Sequence, residues 1–129
     1  MRFIPTKIHG FLDYIVGALL IASPWLFHFA AGGAETWVLV IMGIIAFVYS
    51  LLTDYELGAI HLLSMRTHLF IDLVFGVLLA ASPWLFGFAD HVYTPHLVFG
   101  IFAIVASLLT KQVPHSEKRM HAAGTSASF

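Results

Sequence analysis

Apolar and polar positions along this chain fall into long blocks. Four apolar segments stand out, at about Thr6 to Phe27, Thr36 to Thr53, Arg66 to Phe86 and Thr94 to Lys111. A helix that crosses a bilayer needs about 20 apolar residues, with a range of roughly 17–25. The first and third segments meet that length, and the second and fourth sit at its short end. None carries a polar face wide enough for a water-facing bundle. The pattern predicts an all-α integral membrane protein with four transmembrane helices.

The segments also repeat. His9 to Ala30 reads HGFLDYIVGALLIASPWLFHFA, and His68 to Ala89 reads HLFIDLVFGVLLAASPWLFGFA. The offset is 59 residues, and 14 of the 22 positions are identical. The second and fourth segments match at an offset of 57, from Gly43 and Gly100 to Thr53 and Thr110. The change of offset falls between the helices, at Ala31–Thr36 against Asp90–Thr94, where length changes are tolerated. The chain therefore reads as two tandem helical hairpins. The first occupies 1–55 and the second 67–112. A connector at 56–66 forms either a short amphipathic helix on the membrane surface or a plain loop. The tail at 113–129 is small, polar and without apolar period, and is expected to be disordered.

Charge sets the orientation. All six Lys and Arg residues (Arg2, Lys7, Arg66, Lys111, Lys118 and Arg119) lie on one side of a four-span arrangement. The positive-inside rule then puts both termini in the cytoplasm. The hairpins share one orientation and are related by a pseudo-two-fold axis along the membrane normal.

Composition agrees with the pattern and removes other classes. Hydrophobic residues make up 60% of the chain and charged residues 10%, with a mean hydropathy of +0.92. A domain of 129 residues cannot hide that much apolar surface, so lipid must solvate part of it. The basic residues are too few and scattered to track a nucleic-acid backbone. With no Cys there are no disulfides, thiolate metal sites or Cys nucleophiles. A cleaved signal peptide is a poor reading of the first segment, because that segment carries His9 and Asp13 and recurs inside the chain.

Each repeat ends its first helix in Ser-Pro-Trp, at Ser23, Pro24 and Trp25 and at Ser82, Pro83 and Trp84. Proline inside a helix deletes one backbone hydrogen bond, and in lipid the freed carbonyl needs another partner. Ser before Pro also suits a helix start. The long helices are thus expected to stop or kink near Ala22 and Ala81. A short helical segment, WLFHF or WLFGF, would follow along the outer interface, anchored by Trp. Two hairpins built this way resemble the SPW-repeat family of small bacterial membrane proteins, over roughly residues 6–111. The resemblance implies a membrane-embedded four-helix protein of the bacterial inner membrane and carries no catalytic residues with it.

The remaining repeated polar residues bear the chemistry. His9, Asp13 and Gly17 are spaced i, i+4, i+8 and share one helix face, as do His68, Asp72 and Gly76. Asp13 lies eight residues beyond Pro5, about 12 Å along the helix and within the hydrocarbon layer. Facing lipid there would cost roughly 2.5–3.5 kcal/mol, so both acids are expected to face the interior or each other. Gly17 and Gly76 would let those two helices approach closely. Three roles fit the His-Asp set: structural hydrogen bonding, proton or ion handling, and a divalent metal or haem site. His28, His91 and His96 near the outer loops form a weaker candidate zinc set. Gly43, Ala46 and Ser50, with Gly100, Ala103 and Ser107, form small-residue strips for helix contact. The leading expectation is a non-enzymatic scaffold or accessory subunit without cofactor, acting as a homo-oligomer or within a larger membrane complex. The alternative is a protein handling protons, an ion, a metal or haem through His9, Asp13, His68 and Asp72.

Overall fold

A computed structural model describes residues 2–113. It contains four helices: α1 (Thr6–Leu26), α2 (Ala34–Leu51), α3 (Met65–Leu85) and α4 (Thr94–Leu109). The expected disordered tail lies almost entirely outside the described residues. Among those described there is no strand, only two isolated bridges between extended segments. α1, α2 and α3 are long and apolar enough to cross a membrane; α4, at 16 residues, is shorter. Large apolar side chains point outward along each helix. On α1 they are Ile8, Phe11, Ile15 and Leu19, a stripe at helical spacing that is 39–55% exposed. Comparable stripes on the other three helices, such as Ile41, Ile44 and Val48 on α2, make this the surface of a helical membrane protein.

Each hairpin packs chiefly within itself, α1 on α2 and α3 on α4, and the hairpins meet through α2 with α3 and α1 with α4. Glycine sets the first kind of contact. A Cβ placed on Gly43 would lie 2.8 Å from the Gly17 carbonyl oxygen, and one on Gly100 would lie 2.6 Å from that of Gly76. The glycines of α1 and α3 therefore bring each helix against its own hairpin partner. They do not bring α1 against α3, as the shared face with His and Asp suggested. The apolar core between hairpins gathers Leu20, Leu39, Leu79 and Phe29.

Ser-Pro-Trp takes a different form from the expected break. α1 continues through Pro24 to Leu26, and α3 through Pro83 to Leu85. Each proline leaves the carbonyl four residues back without its amide donor. The preceding serine replaces that donor. Ser23 Oγ donates to the Leu20 carbonyl at 3.0 Å, and Ser82 Oγ to the Leu79 carbonyl at 2.7 Å. Serine here repairs a helix interior and does not cap a new helix. The residues after Pro then form a C-terminal turn. Phe29 N–H donates back to the Pro24 carbonyl and Phe88 N–H to that of Pro83, the six-to-one bond of a left-handed helix end. That geometry requires a positive φ at His28 (60°) and Gly87 (75°), the one position of WLFHF and WLFGF where the repeats differ. Trp25 and Trp84 stay exposed, as interfacial anchors would.

At the other end, which carries the basic residues, the connector is an ordered loop without helix; the amphipathic helix does not form. Leu63 bridges to Thr53, and the chain start copies this, with Ile4 bridged to Thr110. Arg2 donates to the Ser107 and Thr110 carbonyls, both at 2.8 Å, and so satisfies the end of α4. The connector also tucks Tyr55, 1% exposed, under the bundle beside Met65 and Leu69.

Candidate functional site

The N-terminal parts of α1 and α3 present their repeated polar residues to one point. His9 and His68 are 2% and 0% exposed, and their ring centroids lie 5.5 Å apart. His9 Nε2 is 3.1 Å from Asp13 Oδ1, one turn along its own helix, and 2.8 Å from Asp72 Oδ2 on α3. His68 Nε2 is 3.0 Å from Asp13 Oδ2 and 3.3 Å from Asp72 Oδ2. Each histidine therefore faces both carboxylates, and the two repeats build one quartet. A shared Asp72 oxygen lies between the two Nε2 atoms. Haem ligation by His9 and His68 as an axial pair does not fit this arrangement, because the porphyrin and iron would need the space the carboxylates fill.

A second layer fixes the quartet. The Thr53 hydroxyl lies 2.6 Å from the Tyr49 carbonyl and 2.7 Å from His68 Nδ1. The Thr110 hydroxyl lies 2.6 Å from the Ala106 carbonyl and 2.7 Å from His9 Nδ1. A carbonyl only accepts, so each threonine spends its hydrogen there and accepts from the imidazole Nδ1–H. The Tyr49 hydroxyl donates to Asp72 Oδ1, and the Tyr55 hydroxyl donates to Asp13 Oδ2 at 3.2 Å. Burial, with the nearby Asp13 charge, pushes the Tyr55 hydroxyl well above its ordinary pKa, which keeps it a donor at neutral pH. Thr6 Oγ1 donates to Glu56, tying the start of α1 to the connector.

A cavity of about 60 Å³ adjoins the quartet, lined from all four helices by residues that include Asp13, Asp72 and Tyr49. Ala46 and Ala103 border this space, as do Gly17 and Gly76. By volume it matches a few waters, each needing roughly 10–15 Å³, and its wall is mostly apolar. The small-residue strips thus divide: their glycines make helix contacts and their alanines line the cavity. Ser107 Oγ turns back to the Ile104 carbonyl at 2.7 Å, and Ser50 is fully buried.

Among the described residues, the outer histidines form no metal-ligating group. His96 Nε2 donates to the Glu35 carbonyl at 2.9 Å, and His91 Nε2 donates to that of Phe29 at 3.2 Å. The repeat singled out His9, Asp13, His68 and Asp72, which the structure brings together, but not the residues that support them. Thr53 and Thr110 were visible as the last matched pair of the repeat, one signal that both do the same task. Tyr49 matches Ala106 at the 57-residue offset and Tyr55 lies in the connector, so the repeat gives no signal for either.

No curated protein and no solved structure matches this chain. A family model, the SPW repeat domain, matches residues 7–110, from the first turn of α1 to the threonine that holds His9. Both hairpins and all four residues of the quartet fall within that match, and the chain belongs to the SPW repeat domain family.

Proposed function

We propose that this protein is an ion-handling membrane protein whose cation site is His9, Asp13, His68 and Asp72. One observation carries the reading: two carboxylates from two helices meet inside an apolar bundle, with an imidazole from each helix facing both. Intramembrane acids are costly to bury, and purely structural packing is achieved more cheaply by apolar side chains. The adjoining cavity supports the same reading, since it leaves free volume beside the acids. In the bacterial inner membrane, with both termini cytoplasmic, the site lies about 12 Å or less into the span from the cytoplasmic face. A scaffold or accessory-subunit role would rest on the outward apolar stripes alone, and every lipid-facing helix carries those.

Reconstitution tests it. In proteoliposomes under an imposed proton or cation gradient, the wild-type chain should dissipate the gradient faster than empty vesicles. The Asp13→Asn/Asp72→Asn pair should reduce that rate at least to about one tenth, as expected when intramembrane acids form the ion path. Wild-type vesicles that hold every gradient as well as empty ones would contradict the proposal.

A further inference from the structure

We propose that the quartet binds one divalent first-row transition metal of the imidazole-and-carboxylate class, zinc being the simplest member, and that Thr53 and Thr110 are its positioning residues. This rests on reading the quartet as a cation site and names the cation. Thr53 and Thr110 set the histidine tautomers. Each spends its hydroxyl hydrogen on a backbone carbonyl, at 2.6 Å in both cases. Each can then only accept from the imidazole Nδ1, at 2.7 Å in both cases. Both histidines are thereby locked with Nδ1 protonated. In neutral imidazole this leaves a lone pair on Nε2, and both lone pairs aim at carboxylate oxygens. Four electron-rich groups converge, so positive charge must stand among them, either as protons on the imidazoles or as a metal ion.

Geometry separates a metal from protons. A proton on Nε2 points along one line at one acceptor. His68 Nε2 is fully buried and lies within 3.3 Å of both carboxylates, yet it makes no hydrogen bond of acceptable angle. His9 Nε2 is aligned with Asp72 Oδ2 at 2.8 Å, whereas His68 Nε2 is aligned with neither carboxylate although both are close. A buried imidazole nitrogen close to two carboxylates and aligned with neither is available to a metal ion. The spacing agrees. One ligand atom from each residue can be chosen so that all four lie within 4.8 Å of one another, and the imidazole-to-carboxylate separations are 2.8–3.3 Å. A tetrahedron with bonds of 2.0–2.1 Å has edges of about 3.3 Å. Two carboxylates neutralise a divalent charge, which a low-dielectric interior requires. Two imidazoles favour transition metals over magnesium or calcium, and the lack of sulfur ligands disfavours copper(I). A hydrogen bond on the far nitrogen of each ligating histidine is the usual support of such centres.

Cobalt(II) is the probe. The full chain, purified in detergent and stripped with chelator, is titrated with Co²⁺ while its visible spectrum and helical circular dichroism are followed. The inference predicts one ion per chain, with the intense visible bands of four-coordinate cobalt. It predicts that Zn²⁺ displaces the cobalt, and that His68→Gln abolishes the bands. Thr53→Val/Thr110→Val should weaken Co²⁺ binding roughly 10–100-fold. The Thr53→Ser/Thr110→Ser pair, which restores both hydroxyls, should recover it. A folded wild-type protein that binds no cobalt, or binds it with only the pale spectrum of six-coordinate ion, overturns the inference. Full affinity in the valine pair overturns the role of the threonines. The vesicle assay separates this from the proposed function. Quartet-dependent proton flux without metal binding sinks the metal site alone. Metal binding without any flux sinks ion transport and leaves the metal site standing.

Discussion

At the scale of single residues, Ser-Pro is a self-repairing pair. Proline removes a donor from the Leu20 or Leu79 carbonyl, and the neighbouring serine hydroxyl supplies one in its place. Ser23→Ala or Ser82→Ala leaves that buried carbonyl bare and should cost about 1–3 kcal/mol. The readout is a lower thermal midpoint in detergent, and threonine at the same position should restore most of the loss. Equal midpoints for serine and alanine would contradict this account of the motif. His28 offers the opposite change. It holds a left-handed conformation that the second repeat gives to Gly87, so His28→Gly should stabilise by about 1 kcal/mol. Neither effect was legible in the sequence. Ser before Pro has the same letters whether it caps a new helix or mends an old one. Only the hydroxyl's direction distinguishes the two.

At the scale of helices, glycine position decides how closely each hairpin closes. A Cβ on Gly100 would lie 2.6 Å from the Gly76 carbonyl oxygen and 2.5 Å from Ala80 N, both rigid backbone. A Cβ on Gly17 meets the Phe47 ring at 3.1 Å, and the Gly43 carbonyl oxygen only at an ordinary contact of 3.5 Å. Gly100→Ala should therefore force α3 and α4 apart and cost about 1–3 kcal/mol or more, with Gly17→Ala clearly milder because the ring can turn. Comparing the two thermal midpoints checks this, and equal losses would contradict it. Small residues at helical spacing announced close contact in the sequence and left the partner open. The partner depends on which faces the loops bring together, and periodicity within one helix says nothing about that. The quartet was more legible. An acid repeated at equivalent depth on two apolar helices has few affordable places to point, and the bundle interior is one of them.

At the scale of the whole molecule, the two ends of the bundle are built differently. At the hairpin-loop end, each long helix finishes in the same turn beyond its proline. At the basic end, two extended segments close the structure, one from the connector onto α2 and one from the chain start onto α4. The second closure matters for the site, because it sits beside Thr110, which holds His9. Removing residues 2–4 should loosen the end of α4, read as faster amide hydrogen exchange from Ala106 to Lys111, with α2 unaffected. Unchanged exchange at those amides would contradict the closure. The apolar pattern made the four helices readable to within a few residues. The Tyr49 and Tyr55 supports escaped because they break the internal symmetry. The central claim is that residues of α1 and α3 form one quartet across the axis, rather than two separate pairs one turn apart. Solid-state NMR of the chain in lipid, with ¹⁵N-labelled histidine and ¹³C-labelled aspartate, tests this directly. The structure predicts strong couplings between His9 Nε2 and the Asp72 carboxyl and between His68 Nε2 and the Asp13 carboxyl. Couplings confined to His9 with Asp13 and His68 with Asp72 would contradict it.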